Sequence, residues 1–338
     1  MSENDRPNAR EFWARGVVTP SPLPSYQLEH QAEYWRVVDD KPTTWRDATE
    51  YSNDPLLSDL WRKLLKRAPT HLAQALSGTF VVKRQSWESQ AATWASPHHF
   101  SGAFIDFNVG FSDATAQFAT FFERIRRADA NVEQLADDAR RMAYVADLWR
   151  ETGEVFVGDY GFTGDELTPT SIGLSLLGDV WCLAHEAAHR VLGHVEGVRP
   201  ATVDEFSASI GELAATFEEP GGMELQADAL ATYLLRGDEP YDPDSQAAFE
   251  ACFGSHLALG VLKLGDADPE NGDADHPPIG RRLAFNAEVQ ERLTGGAYSQ
   301  PVRADIEWST ALVEATIVAA TAREADAAAA QQNPLPER

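Results

Sequence analysis

Two pairs of polar residues, each set four apart inside an apolar run, constrain this chain more than any other feature. The first pair is His185 and His189 in Ala184-His185-Glu186-Ala187-Ala188-His189, flanked by Val180, Trp181, Val191 and Leu192. The second is Glu224 and Asp228 in Met223-Glu224-Leu225-Gln226-Ala227-Asp228, followed by Ala231, Leu234 and Leu235. Residues four apart share one face of a helix, so each pair predicts a helix with two polar groups on one face. Val180, Ala184, Ala187 and Val191 form an apolar stripe, and a helix apolar on most sides is a buried one. Pro220-Gly221-Gly222 marks the start of the second helix.

Two imidazoles one turn apart reach a single metal ion, and Glu186 between them touches a water on that ion. A catalytic zinc needs a third protein ligand, which Glu224 supplies, and leaves a fourth position for water. Asp228 accepts a hydrogen bond from the far nitrogen of a ligand histidine and fixes its tautomer. The alternative reading makes His185 and His189 hydrogen-bonded core histidines, with Glu186, Glu224 and Asp228 on solvated acidic faces. Against it, acids embedded in an apolar helix require a partner. A third segment, Asp275-His276-Pro277-Pro278-Ile279-Gly280-Arg281-Arg282-Leu283, puts His276 at the mouth of a helix. There it either donates to an oxyanion or caps its own helix.

Taken in order, HEAAH, ELQAD and HPPIGRRL resemble the gluzincin metallopeptidases, and within them the HtpX and CAAX-prenyl-protease type. The short interval between His189 and Glu224, and Gly193-His194 after the motif, are similar to smaller soluble zincins, among them the Lit and ImmA/IrrE-like proteases. The resemblance covers roughly residues 171–296. It implies one Zn2+ per chain, with His185, His189 and Glu224 as ligands and Glu186 as general base. It further implies Asp228 as a partner behind a ligand, His276 as a transition-state donor and Arg282 as a buried site-organising cation. The expected activity is peptide-bond hydrolysis by metal-activated water, on a protein or peptide substrate. A third histidine of the metzincin pattern would fall at Val195, and His194, one residue off, is expected to point elsewhere.

The expected fold is α+β and mainly helical, a zincin-like arrangement of an HExxH helix, a second ligand helix and a small β-sheet. Helices are expected over Leu56–Leu76 with a break near Pro69, and over Asp113–Ala128, Asn131–Arg150, Ile172–His194, Met223–Leu235, Gln246–Leu264, Pro277–Leu293 and Ala304–Ala330. Strands are expected at Thr79–Val82, Ala103–Phe107 and Glu154–Val157, the second of them read as an ordinary sheet strand, with pairing to an extended peptide as the alternative. Pro20–Ser25 reads as irregular chain. The expected division is an N-terminal extension over 1–52, a metallopeptidase domain over 53–296 and a C-terminal helix with a frayed tail over 297–338.

Composition excludes several alternatives. Acidic residues outnumber basic ones 53 to 28, a net charge of -25 that repels phosphate backbones and anionic lipid, so neither nucleic acid nor a membrane surface is an expected partner. Two cysteines, Cys182 and Cys252, form no disulfide framework, and the apolar stretch Ile172–Ala184 is short and interrupted by Asp179, so the expected location is cytoplasmic. No GxSxG elbow supports a serine nucleophile and no glycine-rich loop a nucleotide. Cys182 is expected to be a buried structural thiol and His98-His99 loop residues. Two rivals remain: Glu186-Ala-Ala-His189 as half of a di-iron site, completed by Asp273-Ala-Asp-His276, and a zincin fold serving as a latent binding module. Seven of nine tryptophans lie at or before Trp149, which core packing explains; the N-terminal half that holds them would then receive a regulatory partner.

Overall fold

The computed structural model of the chain describes residues 6–16, 51–52, 54–84, 86–88, 91–96, 98–127, 131–155, 161–237, 242, 245–266, 271–272, 276–295 and 300–332. Pro20–Ser25, Asp273, Asp275 and the end of the tail lie outside them, as do the last two residues of the strand expected at Glu154–Val157. Glu154 itself forms an isolated bridge to Glu88.

α1 spans Ala9–Gly16. α2, Pro55–Arg67, starts where Asp54 accepts from the backbone N–H of Leu56 and Leu57 at 2.8 and 2.9 Å, with Pro55 suited to the first turn. The chain breaks at Ala68-Pro69 and resumes as α3, Thr70–Ala75. Three strands follow: β1 (Thr79–Arg84), β2 (Ala91–Trp94) and β3 (Ala103–Asn108), ordered β1-β3-β2, with β1 parallel and β2 antiparallel to β3. Side chains alternate across this sheet. Val81, Ile105 and Phe107 join the main core, whereas Phe80, Val82 and Phe104 pack with Phe12 of α1 and Phe100.

The sheet decides between the two readings of Ala103–Phe107 in favour of an ordinary sheet strand. Ala103–Phe107 is the central strand, with both edges occupied, so it offers no edge to a substrate. β2 is an edge strand, and its Ala-Ala-Thr-Trp carries too little β-branched or aromatic character to be read as a strand from the sequence.

The rest is helical: α4 (Val109–Arg126), α5 (Val132–Thr152), α6 (Pro169–Leu192), α7 (Asp204–Ile210), a 3-10 stretch over Gly211–Glu218, α8 (Gly222–Arg236), α9 (Gln246–Gly265), α10 (Ile279–Thr294) and α11 (Gln300–Gln332). The architecture is α+β and mainly helical, with one small mixed sheet.

α6 is the axis of the fold. Thr168 caps it by accepting from the backbone N–H of Ser171 at 3.1 Å, and Gly193 ends it in the left-handed conformation at φ 75°. It packs on α4, α8, α9 and the sheet, as an all-round apolar helix must. The approach of α4 is close enough that a Cβ on Gly178 would meet Thr115 Cγ2 at 2.8 Å. One core gathers Trp61, Trp181, Leu183 and Leu230 around α6 and α8; the other gathers Phe118, Phe122 and Phe253 with Val313 of α11. Truncating an aromatic such as Phe253 to alanine costs about 3–5 kcal/mol. Among the described residues, one helix is long and apolar enough to cross a membrane by length and composition alone; it is Ala247–Gly265 in α9 rather than Ile172–Ala184, and 72% of it is buried inside the protein.

Candidate metal centre

α6 and α8 cross so that the faces bearing His185, His189, Glu224 and Asp228 meet. Gly221, at φ 73°, opens α8, and a Cβ there would strike Pro277 at 2.9 Å. This contact draws the His276-Pro277 segment and the start of α10 against the end of α8 that carries Glu224.

Nε2 of His185 and Nε2 of His189 stand 3.1 Å apart. Glu224 brings one carboxylate oxygen to 3.3 Å from each of them. Ligands at about 2.0–2.1 Å from a tetrahedral zinc lie roughly 3.3 Å from one another, so the three groups have the spacing of a shared coordination sphere. Among the described residues, His185, His189 and Glu224 are the one cluster of this kind. The charges agree with that fit. With both imidazoles neutral, as metal ligation requires, Glu186, Glu224 and Asp228 against Arg282 leave two negative charges for a divalent cation to balance; without a metal a proton on His185 offsets one of them.

Each imidazole is held from behind. Asp228 Oδ1 stands 2.9 Å from His185 Nδ1 and also takes Arg282 Nη2 at 2.7 Å, while Asp228 Oδ2 accepts from Arg282 Nε at 2.8 Å. The Asp228–His185 contact is an ion pair by distance and falls outside hydrogen-bond geometry; a neutral His185 with its proton on Nδ1 would leave the Nε2 lone pair for the centre. Trp181 stacks on the His185 ring at 5.5 Å. His189 is backed differently. Its Nδ1 lies 3.0 Å from His194 Nδ1, and His194 Nε2 lies 3.1 Å from Gln226 Oε1. Since the amide oxygen only accepts, His194 carries its proton on Nε2. Its Nδ1 then accepts from His189, whose Nε2 lone pair is again left for the centre. His194 therefore does not point elsewhere: Gly193 turns the chain back, and the histidine folds against its neighbour.

Burial alone would lower the pKa of His185, but Asp228 and Glu224 raise it to about 10. Burial works against the ionised forms of Glu224 and Asp228 as well. The histidines and Arg282 hold Glu224 well below its usual range, and Arg282 with His185 holds Asp228 below its own. Arg282 in turn is kept charged despite burial by Asp228 and Glu224. The His194 imidazole is kept neutral by burial and by His189 beside it.

Glu186 is buried at 6% exposure, and the Thr93 hydroxyl of β2 lies 2.8 Å from its backbone carbonyl and 3.0 Å from its Oε2. Nothing in the sequence marks Thr93, because its partner lies on another element. The centre opens into a cleft of about 980 Å³ lined by His185, His189, Glu224, Glu186, β2, His276 and Arg282. His276 is exposed on that wall. Cys182 also lines it, half-buried and outside the ligand set, with burial pushing its thiol pKa well up. His99 sits in a loop against Ser96. The di-iron alternative requires Asp273, which lies outside the described residues. Among the tryptophans, Trp61 and Trp181 are core, whereas Trp94 is 59% exposed beside the cleft. Comparison with protein-family models, with curated proteins and with solved structures gives no match.

Proposed function

We propose that this chain is a zinc-dependent hydrolase of zincin type that cleaves peptide bonds. The observation that carries the reading is the convergence of His185, His189 and Glu224 at 3.1–3.3 Å, with the far nitrogen of His189 bonded to His194 and that of His185 beside Asp228. A zinc ion there would polarise a carbonyl and bring the acidity of a water towards neutrality.

The protein's own groups supply the proton traffic. Glu186, tied to Thr93, takes a proton at its carboxylate and returns it to the leaving amine. His276 donates to the developing oxyanion from the cleft wall. An extended peptide pairs along the outer edge of β2, which borders the cleft and pairs with β3 on its other side. Trp94 at the end of that strand stacks on a substrate side chain.

Metal content tests this directly. Purified wild type should hold about one zinc per chain, Glu224→Ala should lose it, and Glu186→Gln should keep it but lose hydrolysis of a casein substrate. Zinc bound as tightly by Glu224→Ala as by wild type would remove the third ligand and the reading with it.

A further inference from the structure

A second cavity, of about 440 Å³, lies where the N-terminal segment, the loop after β2 and the loop after α6 meet. Among the described residues its lining includes Arg6, Arg190 and Arg199 and no aspartate or glutamate. That runs against a chain in which acidic residues outnumber basic ones 53 to 28. Arg190 enters from the last turn of α6. Its Nη2 donates to the Ser77 carbonyl at 3.2 Å, and its Nε is buried without a hydrogen-bond partner. Burial, with no offsetting carboxylate, lowers its pKa. Arg199 is exposed, and among the described residues neither it nor Arg190 pairs with an acid.

The carbonyls that end α6 favour a cation at position 190. They do not account for Arg199, which is off the helix, or for a buried guanidinium N–H left without an acceptor, an arrangement that costs stability. A guanidinium fork matches the paired oxygens of a carboxylate or phosphate, and such charge-assisted bonds are among the stronger ones.

We propose that this cavity binds an anionic oxygen group, a phosphate or a carboxylate. Its position gives such a group a use. Ala95 lines both this cavity and the metal cleft, and the loop after α6 walls both, with Val195 and Glu196 on the cleft and Gly197 to Ala201 on the cavity. A chain running along β2 past Trp94 arrives at Ala95, so the terminal carboxylate of a bound peptide and a free phosphate ion are the two sources of one chemistry. The first source rests on the hydrolase reading; the anion site does not.

The test is calorimetric titration of the full chain with sodium phosphate, against sodium chloride at matched ionic strength. A peptide with a free C-terminal carboxylate, and the same peptide as its amide, then serve as competitors. Saturable phosphate binding is expected, weakened roughly tenfold or more in Arg199→Ala and in Arg190→Gln, with zinc content unchanged. Arg199 is exposed and off the helix, so its variant decides the matter if Arg190→Gln does not fold. Competition by the acid but not the amide assigns the peptide terminus; phosphate binding without competition assigns the free ion. Wild-type affinity in Arg199→Ala, an equal response to chloride, or no binding of either phosphate or the carboxylate peptide overturns the proposal. None of these readouts depends on hydrolysis.

Discussion

His185 and His189 turn the same ring nitrogen to the same point, yet what stands behind them differs in charge and in exposure. Behind His185 is a fully buried carboxylate locked into Arg282 by two short hydrogen bonds. Behind His189 is a neutral pair, His194 and Gln226, at the half-buried edge of the cleft. The first arrangement joins three helices, because His185, Asp228 and Arg282 sit on α6, α8 and α10. It therefore builds the fold as much as the site. The second joins a helix end to its neighbour and sets only a tautomer. Ligand support that is buried and charged is costly to disturb, while support that is neutral and near water is cheap.

Asp228→Asn should expose that difference most strongly. It leaves Arg282 in the interior without its bidentate partner, a loss of about 3–5 kcal/mol by the behaviour of broken buried pairs. Zinc affinity should fall with it, by roughly 10–100-fold. Chemical denaturation of metal-free protein reads the first effect and zinc competition with a chelator reads the second. His194→Ala is the matched experiment on the other side. Zinc affinity should fall about tenfold while metal-free stability changes by less than about 1 kcal/mol. Equal losses of stability in the two variants would erase the distinction between a fold-building and a site-tuning partner.

Thr93→Val sharpens the comparison by touching neither histidine. It keeps the shape of the side chain and removes the hydroxyl between Glu186 and β2, at a cost of about 1 kcal/mol. Zinc content should match wild type. Turnover of casein should drop roughly tenfold, with Thr93→Ser restoring it, because the hydroxyl orients the base. Turnover unchanged in Thr93→Val would reduce the contact to a structural tie between strand and helix.

The sequence made one side of the centre legible and hid the other for a physical reason. His185 with His189 and Glu224 with Asp228 are pairs within single helices, where a spacing of four fixes a shared face. Asp228 could be read as a partner for a ligand because its helix was apolar and an acid there had to be satisfied. Arg282 entered only through the resemblance of the HPPIGRRL segment, as a buried structural or site-organising cation, and its pairing with Asp228 across 54 residues was not legible. The joining of His194 to Gln226, and of Thr93 to Glu186, depends on how the chain turns at Gly193 and how a weakly patterned strand lies over α6. Periodicity carries no information on either. The long, strongly patterned helices were legible to within a few residues, whereas β2 and the short α1 and α7 were not.

A third histidine shows that carboxylates rather than burial set the behaviour of the centre. His256 of α9 is half-buried where His185 is buried, and its Nε2 meets the Thr310 hydroxyl of α11 at 3.1 Å. Burial lowers its pKa from 6.5 to about 4, where His185, facing two acids, rises to about 10. The folded state therefore favours neutral His256. Its contribution to stability is fully present above pH 6.5, and it is lost as the pH falls towards about 4, because the unfolded chain takes up the proton first. His256→Gln can still hydrogen-bond Thr310 but does not titrate. Its melting temperature at pH 7.5 should stay near that of wild type, and its loss on acidification to pH 5 should be smaller by about 2–4 °C. Parallel melting profiles for the two proteins would mean that α9 and α11 loosen enough to hydrate His256. The contrast with His185 would then rest on its acids alone.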